Sequence, residues 1–404
     1  MKKMIAVVMG FVFVALVTVF LMPGCSGKGK VSGDGGNDGA DADAEGPDDG
    51  GDEVPGDDGG SPADDGGGTD GDGDAGQELD GGSETGCGDV PASAVYVSDH
   101  GVLGNGTDET DKITAAIAAA AEHSSKTLVF PAGMTITSAK QIRFTEGLTV
   151  IGNGCTIKLK DTTHTDGVQW QWIYAHPGVR ICGMIFDGNH QNGNETQTHG
   201  IMLQGDNIFD GNTVRNVHSY SIGVYYNEPD HPPSNIYITG NTIIDSHQYG
   251  ISTGCTDGEY CYGHNIVITG NTITDCDEVG IKIRGTVGAT IENNTITLGD
   301  RTGDEPSGIR LYSWDEPNRD IVIQHNTIIG LGEDPSDGIC SDDELNTNII
   351  IHANTVQHTH NGLRLNINNA TITDNIMTDC AYGFTSTGTG NTISGNTCDG
   401  SPCP

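Results

Sequence analysis

The sequence predicts an all-β solenoid of stacked parallel strands, and three observations carry that prediction. From about residue 149 the chain repeats one unit: a short apolar strand, Gly-Asn-Thr or a relative, a second short strand, a variable stretch, then glycine and an apolar residue. The turn asparagines are Asn212, Asn241, Asn271, Asn294, Asn326, Asn354, Asn375 and Asn396, spaced 21 to 32 residues apart. The segments between turns are β-branched, about four to six residues long and bounded by Gly and Asn, a pattern that excludes helical repeats. A strand this short buries its inward side chains only against the next repeat, so the repeats stack. The stacked asparagines are expected to bond side chain to backbone between coils, as a ladder.

The chain ahead of the repeat has a different character. The protein has 404 residues and a formal charge of -38. Residues 1–30 hold four lysines and no acid, and residues 31–90 hold twenty acids and no base. The remainder carries 14 bases and 36 acids. Such a polyanion is repelled by nucleic acid and anionic lipid, which excludes binding to either through a general basic surface. Lys2, Lys3 and the apolar run from Ile5 to Met22 read as a targeting signal over residues 1–25. Its end, Leu21-Met22-Pro23-Gly24-Cys25, resembles the lipobox of bacterial lipoproteins, which implies lipidation at Cys25. Met22 stands where leucine is usual, so ordinary cleavage or a retained anchor stays open. Residues 26–92 are Gly, Asp, Pro and Ser, too polar to bury a core, and read as a disordered, self-repelling tether. Asp70-Gly-Asp72-Gly-Asp74 looks like the opening of a calcium loop, but Ala75 and Gly81 break the pattern. An exported protein follows, anchored by lipid at the cell envelope or surface and otherwise secreted.

Residues 93–404 then form one domain. Ala94-Val-Tyr-Val-Ser-Asp-His-Gly, a Gly-rich loop and the acidic start of an alanine-rich helix from Asp111 to about His123 open it. Together with the repeat, this opening resembles the right-handed parallel β-helix of the pectate lyase superfamily. The resemblance implies about ten coils and an N-terminal helix that covers the open first coil. The superfamily includes lyases, hydrolases, epimerases and non-catalytic adhesins, so the fold alone does not assign an activity. A monomer is expected.

The Gly-apolar pairs begin at 200, 223, 250, 280, 308, 338, 362 and 383, and their strands are expected to line a groove. With Ile251, Ile281, Ile309, Ile339 and Leu363 inward, alternation turns Ser252, Lys282, Arg310, Cys340 and Arg364 outward. The next outward residues are Gly254, Arg284, Tyr312, Asp342 and Asn366. Lys282, Arg284, Arg310 and Arg364 thus share one strip, where stacked like charges call for an anion between them. The ligand this implies is an acidic polysaccharide gripped by guanidinium forks. The competing reading pairs these bases with Asp277, Glu278 or Asp342 and leaves no ligand site.

Beta-elimination of a uronate polymer needs a cation on the carboxylate and a base for the C5 proton. Some lyases of the superfamily use a lysine and an arginine from adjacent coils, with calcium nearby. By position Lys282 matches that base and Arg310 that arginine, and Asp257 and Glu259 are left as calcium carriers. Lys282 would need its pKa lowered, which Arg284 and Arg310 supply. Arg284, Arg364, Tyr312 and Asp342 are expected to contact substrate, with Trp314 as a sugar-stacking platform. Hydrolysis fits less well, because it needs two carboxyls where the coils offer Tyr225 and Ser252, and Asp342 alone lies on the strip. A second candidate sits nearer the amino end, where Asp187, His190 and His199 flank a loop and Tyr225, Tyr249 and His264 approach. There His199 and Tyr225 are candidates for a base and acid pair. The expected function is therefore a lyase or epimerase acting by C5 proton abstraction, and the rival is a non-catalytic adhesin or glycan-binding lipoprotein.

Ten cysteines beyond Cys25, in an exported chain, favour disulfides. Cys255 with Cys261 and Cys398 with Cys403 are close enough to close local loops. No C-x-x-C occurs, which weakens zinc and redox readings of the cysteines.

Overall fold

The computed structural model describes residues 87–160, 171–190, 198–225, 233–254, 263–299, 306–313, 317–332 and 336–403. The targeting segment with Cys25, the tether to residue 86, Asp257, Glu259, Trp314 and the pair Cys255 and Cys261 lie outside them.

The domain is a right-handed parallel β-helix, as its repeat predicts. Each full coil contributes one strand to each of three sheets of 12, 10 and 12 strands. Sheet one holds the strand before the asparagine turn, such as Ser234–Thr239, and sheet two the strand after it, such as Thr242–Ser246. The groove sheet holds the third, such as Tyr249–Thr253. The earliest coils, with Thr127–Val129, Thr135–Ser138 and Ile142–Phe144, precede residue 149. They lack the turn asparagine, so the repeat is not legible there.

Local chemistry explains the turn. Gly211, Gly240, Gly270 and Gly395, which precede the asparagine, take left-handed φ values of 60 to 71°. Where another residue stands there, as Asn293, His325, Ala353 and Asp374 do, the left-handed conformation persists at φ 52 to 58°. Glycine is thus the cheapest occupant, not a requirement. The asparagine that follows points inward and forms the expected ladder. Asn241 Nδ2 donates to the Phe209 carbonyl at 2.8 Å and to Asn271 Oδ1 at 3.0 Å, and the pattern continues to Asn396. A second, shorter ladder, Asn318 to Asn346, runs at the other end of the groove strands, with the Asn318 N–H donating to Asn346 Oδ1 at 2.8 Å.

Between the sheets lies a continuous core of stacked aliphatic side chains. Ile201, Ile222, Ile251, Ile281, Ile309, Ile339 and Leu363 form one row of it and are fully buried. Burial of each such side chain contributes about 1.5–3 kcal/mol. The helix Thr110–Glu122 covers the first coil with Ile113, Ala116, Ile117 and Ala120. Its start is held by Glu109, which is buried and accepts the N–H groups of Leu103 and Gly104 at 2.8 Å each. At the far end Ser401–Pro402 pairs antiparallel with Thr397–Cys398, and Cys398 bonds Cys403 as expected.

The cysteine expectation needs correction. Cys87 bonds Cys182, but Cys155, Cys276, Cys340 and Cys380 are thiols. Cys155, Cys276 and Cys340 are buried in different coils, where each behaves as a small apolar side chain.

Candidate functional site

Inter-coil register sets which outward side chains meet. Ser252 pairs with Lys282, Lys282 with Arg310, Arg310 with Cys340 and Cys340 with Arg364. Arg284 pairs with Tyr312 on the next row. Alternation and the repeat therefore place Lys282, Arg284, Arg310 and Arg364 together on the groove sheet, as the sequence implies. Gly254 makes room for one of them, since a Cβ there would meet Cβ of Arg284 at 2.9 Å.

The four bases do not share one environment. Arg310 Nη2 donates to Asp342 Oδ2 at 2.7 Å, and Arg364 Nη1 donates to Asp342 Oδ1 at 2.6 Å. Arg364 Nη2 donates to Asp337 Oδ2, also at 2.6 Å. Asp342 thus bridges two guanidiniums, and Asp337, buried, anchors the second. For Arg310 and Arg364 the acid-paired arrangement is the one present, and Asp342 acts as their counterion rather than as a group left open to substrate.

Lys282 is different. Its Nζ lies 4.2 Å from the ring centre of Tyr249 and 4.6 Å from that of Tyr312. It forms no ion pair among the described residues. Burial, reinforced by Arg284 and Arg310 and opposed by Glu278, brings its pKa down to about 8. Two aromatic faces offset part of the desolvation cost of the ammonium, each by about 0.5–2 kcal/mol. The result is an amine that can exchange a proton near neutral pH, beside fixed positive charge. Burial raises the Tyr249 phenol well above its ordinary value, so it stays protonated.

The amino-terminal candidate is an aromatic stack. The rings of His199 and Tyr220 lie 4.3 Å apart, those of Tyr220 and Tyr249 4.8 Å, and those of Tyr220 and Tyr225 5.5 Å. His199 and Tyr225 are 6.4 Å apart, and the Tyr225 hydroxyl is 3.0 Å from Ser252 Oγ. They are not hydrogen-bonded as an acid and base pair. Burial holds His199 down at about 4, so it is neutral at ordinary pH. Tyr225 also changes row. Ile222, not Val224, pairs with Ile251, so Ser221 takes the glycine place and Gly223 falls opposite Ser252. Tyr225 therefore extends the row of Gly254 and Arg284. Alignment on the inward isoleucines, rather than on glycine, would have shown this and revealed Tyr220. Asp337 was missed because it precedes its glycine directly, a place with no distinctive signature. His264 lies exposed in Gly263–Thr269 of sheet one, away from the groove sheet. Asp187 is structural, paired with Arg215 at 3.0 Å and accepting the Asn189 N–H at 3.0 Å.

The residues expected to carry calcium are not among those described. Ser252 and Gly254 precede Lys282, the carboxylates of Asp337 and Asp342 are committed to arginines, and Asp257 and Glu259 lie outside the described residues.

Comparison with known proteins agrees with the fold. The family profile of the right-handed beta helix region matches residues 253–365. No curated protein matches the chain. The Dettilon tailspike protein is similar at 14% identity and a TM-score of 0.51, covering 77% of this chain and 68% of the tailspike chain. The surface protein and adhesin PfbA of Streptococcus pneumoniae is similar at 16% identity, covering 76% of this chain and 98% of the adhesin, with a TM-score of 0.45. The mannuronan C-5 epimerase AlgE6 A-module of Azotobacter vinelandii is similar at 16% identity, with 75% and 98% covered and a TM-score of 0.45. Identities this low speak to the fold alone.

Proposed function

We propose that the groove sheet binds an acidic polysaccharide and that Lys282 removes the C5 proton of a bound uronate, as in a lyase or epimerase. The observation that carries this reading is the state of Lys282: sandwiched between Tyr249 and Tyr312, lowered to about 8, and without an ion-pair partner among the described residues. The uronate carboxylate sits against the positive edge of Arg284 and Arg310, which withdraws charge and acidifies the C5 proton. The neutral Lys282 amine takes that proton. In elimination the electron pair forms the C4–C5 double bond, the C4–O bond breaks, and the leaving oxygen accepts a proton from a phenol such as Tyr249. In epimerisation the C5 carbanion is reprotonated from the opposite face and the chain stays intact.

The rival, binding without turnover, is favoured by one specific observation, the neutralisation of Arg310 and Arg364 by Asp337 and Asp342. The two readings separate in one experiment. The exported domain is incubated with alginate, pectate, chondroitin and heparin in D2O, with and without chelator. Ultraviolet absorbance reports the unsaturated product of elimination, and deuterium at C5 of the intact polymer reports epimerisation. Turnover that vanishes in Lys282→Ala supports the catalytic reading. Retained binding with no unsaturated product and no deuterium on any polymer refutes it and leaves a glycan-binding groove.

A further inference from the structure

Outside the strip, the turn between sheet two and the groove sheet brings three histidines together from consecutive coils. His190, His218 and His247 each lie six residues after the first residue beyond the left-handed turn position, namely Met184, Asn212 and Asn241. Their ring centres form a near-equilateral triangle: 4.9 Å between His190 and His218, 4.9 Å between His218 and His247, and 5.3 Å between His190 and His247. Three imidazoles on one tetrahedral ion, with metal–nitrogen bonds of about 2.0–2.1 Å, place their ring centres about 5 Å apart.

A further contact points the same way. His247 Nδ1 lies 2.6 Å from Oδ2 of Asp277, which is buried at the same place in the next coil. A carboxylate only accepts, so Nδ1 carries the hydrogen, and in the neutral ring Nε2 is left with its lone pair. Carboxylates orient metal-binding imidazoles in this way. His190 Nδ1 is buried and has no hydrogen-bond partner, so that ring has a nitrogen the protein does not use.

We propose that His190, His218 and His247 form a binding site for one divalent transition-metal ion of the zinc class, with Asp277 orienting His247. Imidazole donors select zinc, copper or nickel over calcium and magnesium. As the side chains stand, no three donors among the described residues converge on one point. Binding is therefore coupled to rotation of the His190 and His218 rings about χ2, a soft torsion for histidine, while Asp277 holds the His247 ring in place. The His247 side chain is 45% exposed, so an ion reaches the cluster from solvent at that corner. The site is separate from Lys282 and does not depend on the polysaccharide reading. A stack of imidazoles that holds no ion is the competing account.

The test titrates the full chain with Zn2+ by calorimetry, and with Co2+ by visible absorption, in excess Ca2+ to saturate the acidic tether. The expected result is one tightly held ion per chain, a tetrahedral nitrogen-ligand Co2+ spectrum, and affinity lost by about 100-fold in H190A/H218A/H247A. The single variant His247→Ala, at the exposed corner, is expected to weaken binding by at least about tenfold while urea unfolding stays unchanged, which separates ligand loss from misfolding. Equal affinity in the triple variant overturns the proposal. So does the absence of tight binding in calcium, or a thiolate charge-transfer band that would move the ion to a cysteine.

Discussion

Asn271→Ala removes one rung from the middle of the ladder, and its cost follows from the bonds it breaks. Asn271 Oδ1 accepts the Asn241 N–H at 2.9 Å, and Asn271 Nδ2 donates to the Ile238 carbonyl at 2.9 Å. Alanine leaves both backbone groups without these partners, at a position only 1% exposed, where water does not substitute. An orphaned buried polar group costs about 1–3 kcal/mol, so the substitution should cost about 2–6 kcal/mol. Asn396 is the control. It serves the Asn375 N–H and the Ile372 carbonyl in the same way, but it is the last rung and 6% exposed. In a solenoid the end coil has one neighbour and opens at lower cost, so Asn396→Ala should cost about 1 kcal/mol or less globally. Urea unfolding followed by circular dichroism should show a midpoint shift on the order of 1 M for Asn271→Ala and a small one for Asn396→Ala. Equal shifts, or a loss below about 0.5 kcal/mol at Asn271, would refute the claim that the rungs hold the turns through buried satisfaction.

Three other expectations follow from the same structure. If Lys282 is the base, turnover should rise with pH through about 8, since only the unprotonated amine accepts a proton; a rate that is flat from pH 6 to 10 removes Lys282 from that role. Asp342→Asn should release Arg310 and Arg364 from one shared counterion and raise affinity for a uronate or sulfated polymer by about two- to tenfold, with a steeper salt dependence in titration calorimetry. Glu109→Gln should cost about 1–3 kcal/mol at neutral pH. Burial raises the Glu109 pKa, but the N–H groups of Leu103 and Gly104 and the Lys112 ammonium outweigh it, leaving the pKa below 4.5. That stabilisation is complete above the unfolded carboxyl pKa and is lost as pH falls through the folded one, so acid titration of stability should show a component missing from the glutamine variant.

Much of the fold was legible because its determinants are local. A left-handed turn followed by asparagine, and alternation along a short strand, are written within about ten residues, and they specified coil, ladder and inward row without reference to the rest of the chain. The strip was legible for the same reason, since Lys282, Arg310 and Arg364 hold the same place relative to their glycines. The coil of Tyr225 was misaligned where its glycine moved by two residues, because packing follows the inward isoleucine and glycine only permits close approach. The thiols were misjudged because parity of cysteines carries no information about distance.

The sequence by itself determined that the chain is a parallel solenoid with an asparagine ladder, a capping helix and a basic strip on one sheet. The tertiary structure alone decided what the strip is. Loops of unequal length separate the coils, so which acid reaches which base depends on a spatial register that no single repeat encodes. That register gives Asp337 and Asp342 to the arginines, leaves Lys282 between two tyrosines, and gathers three histidines from separate coils. Desolvation and neighbouring charge act on distances across coils, and those distances set the chemistry of each side chain.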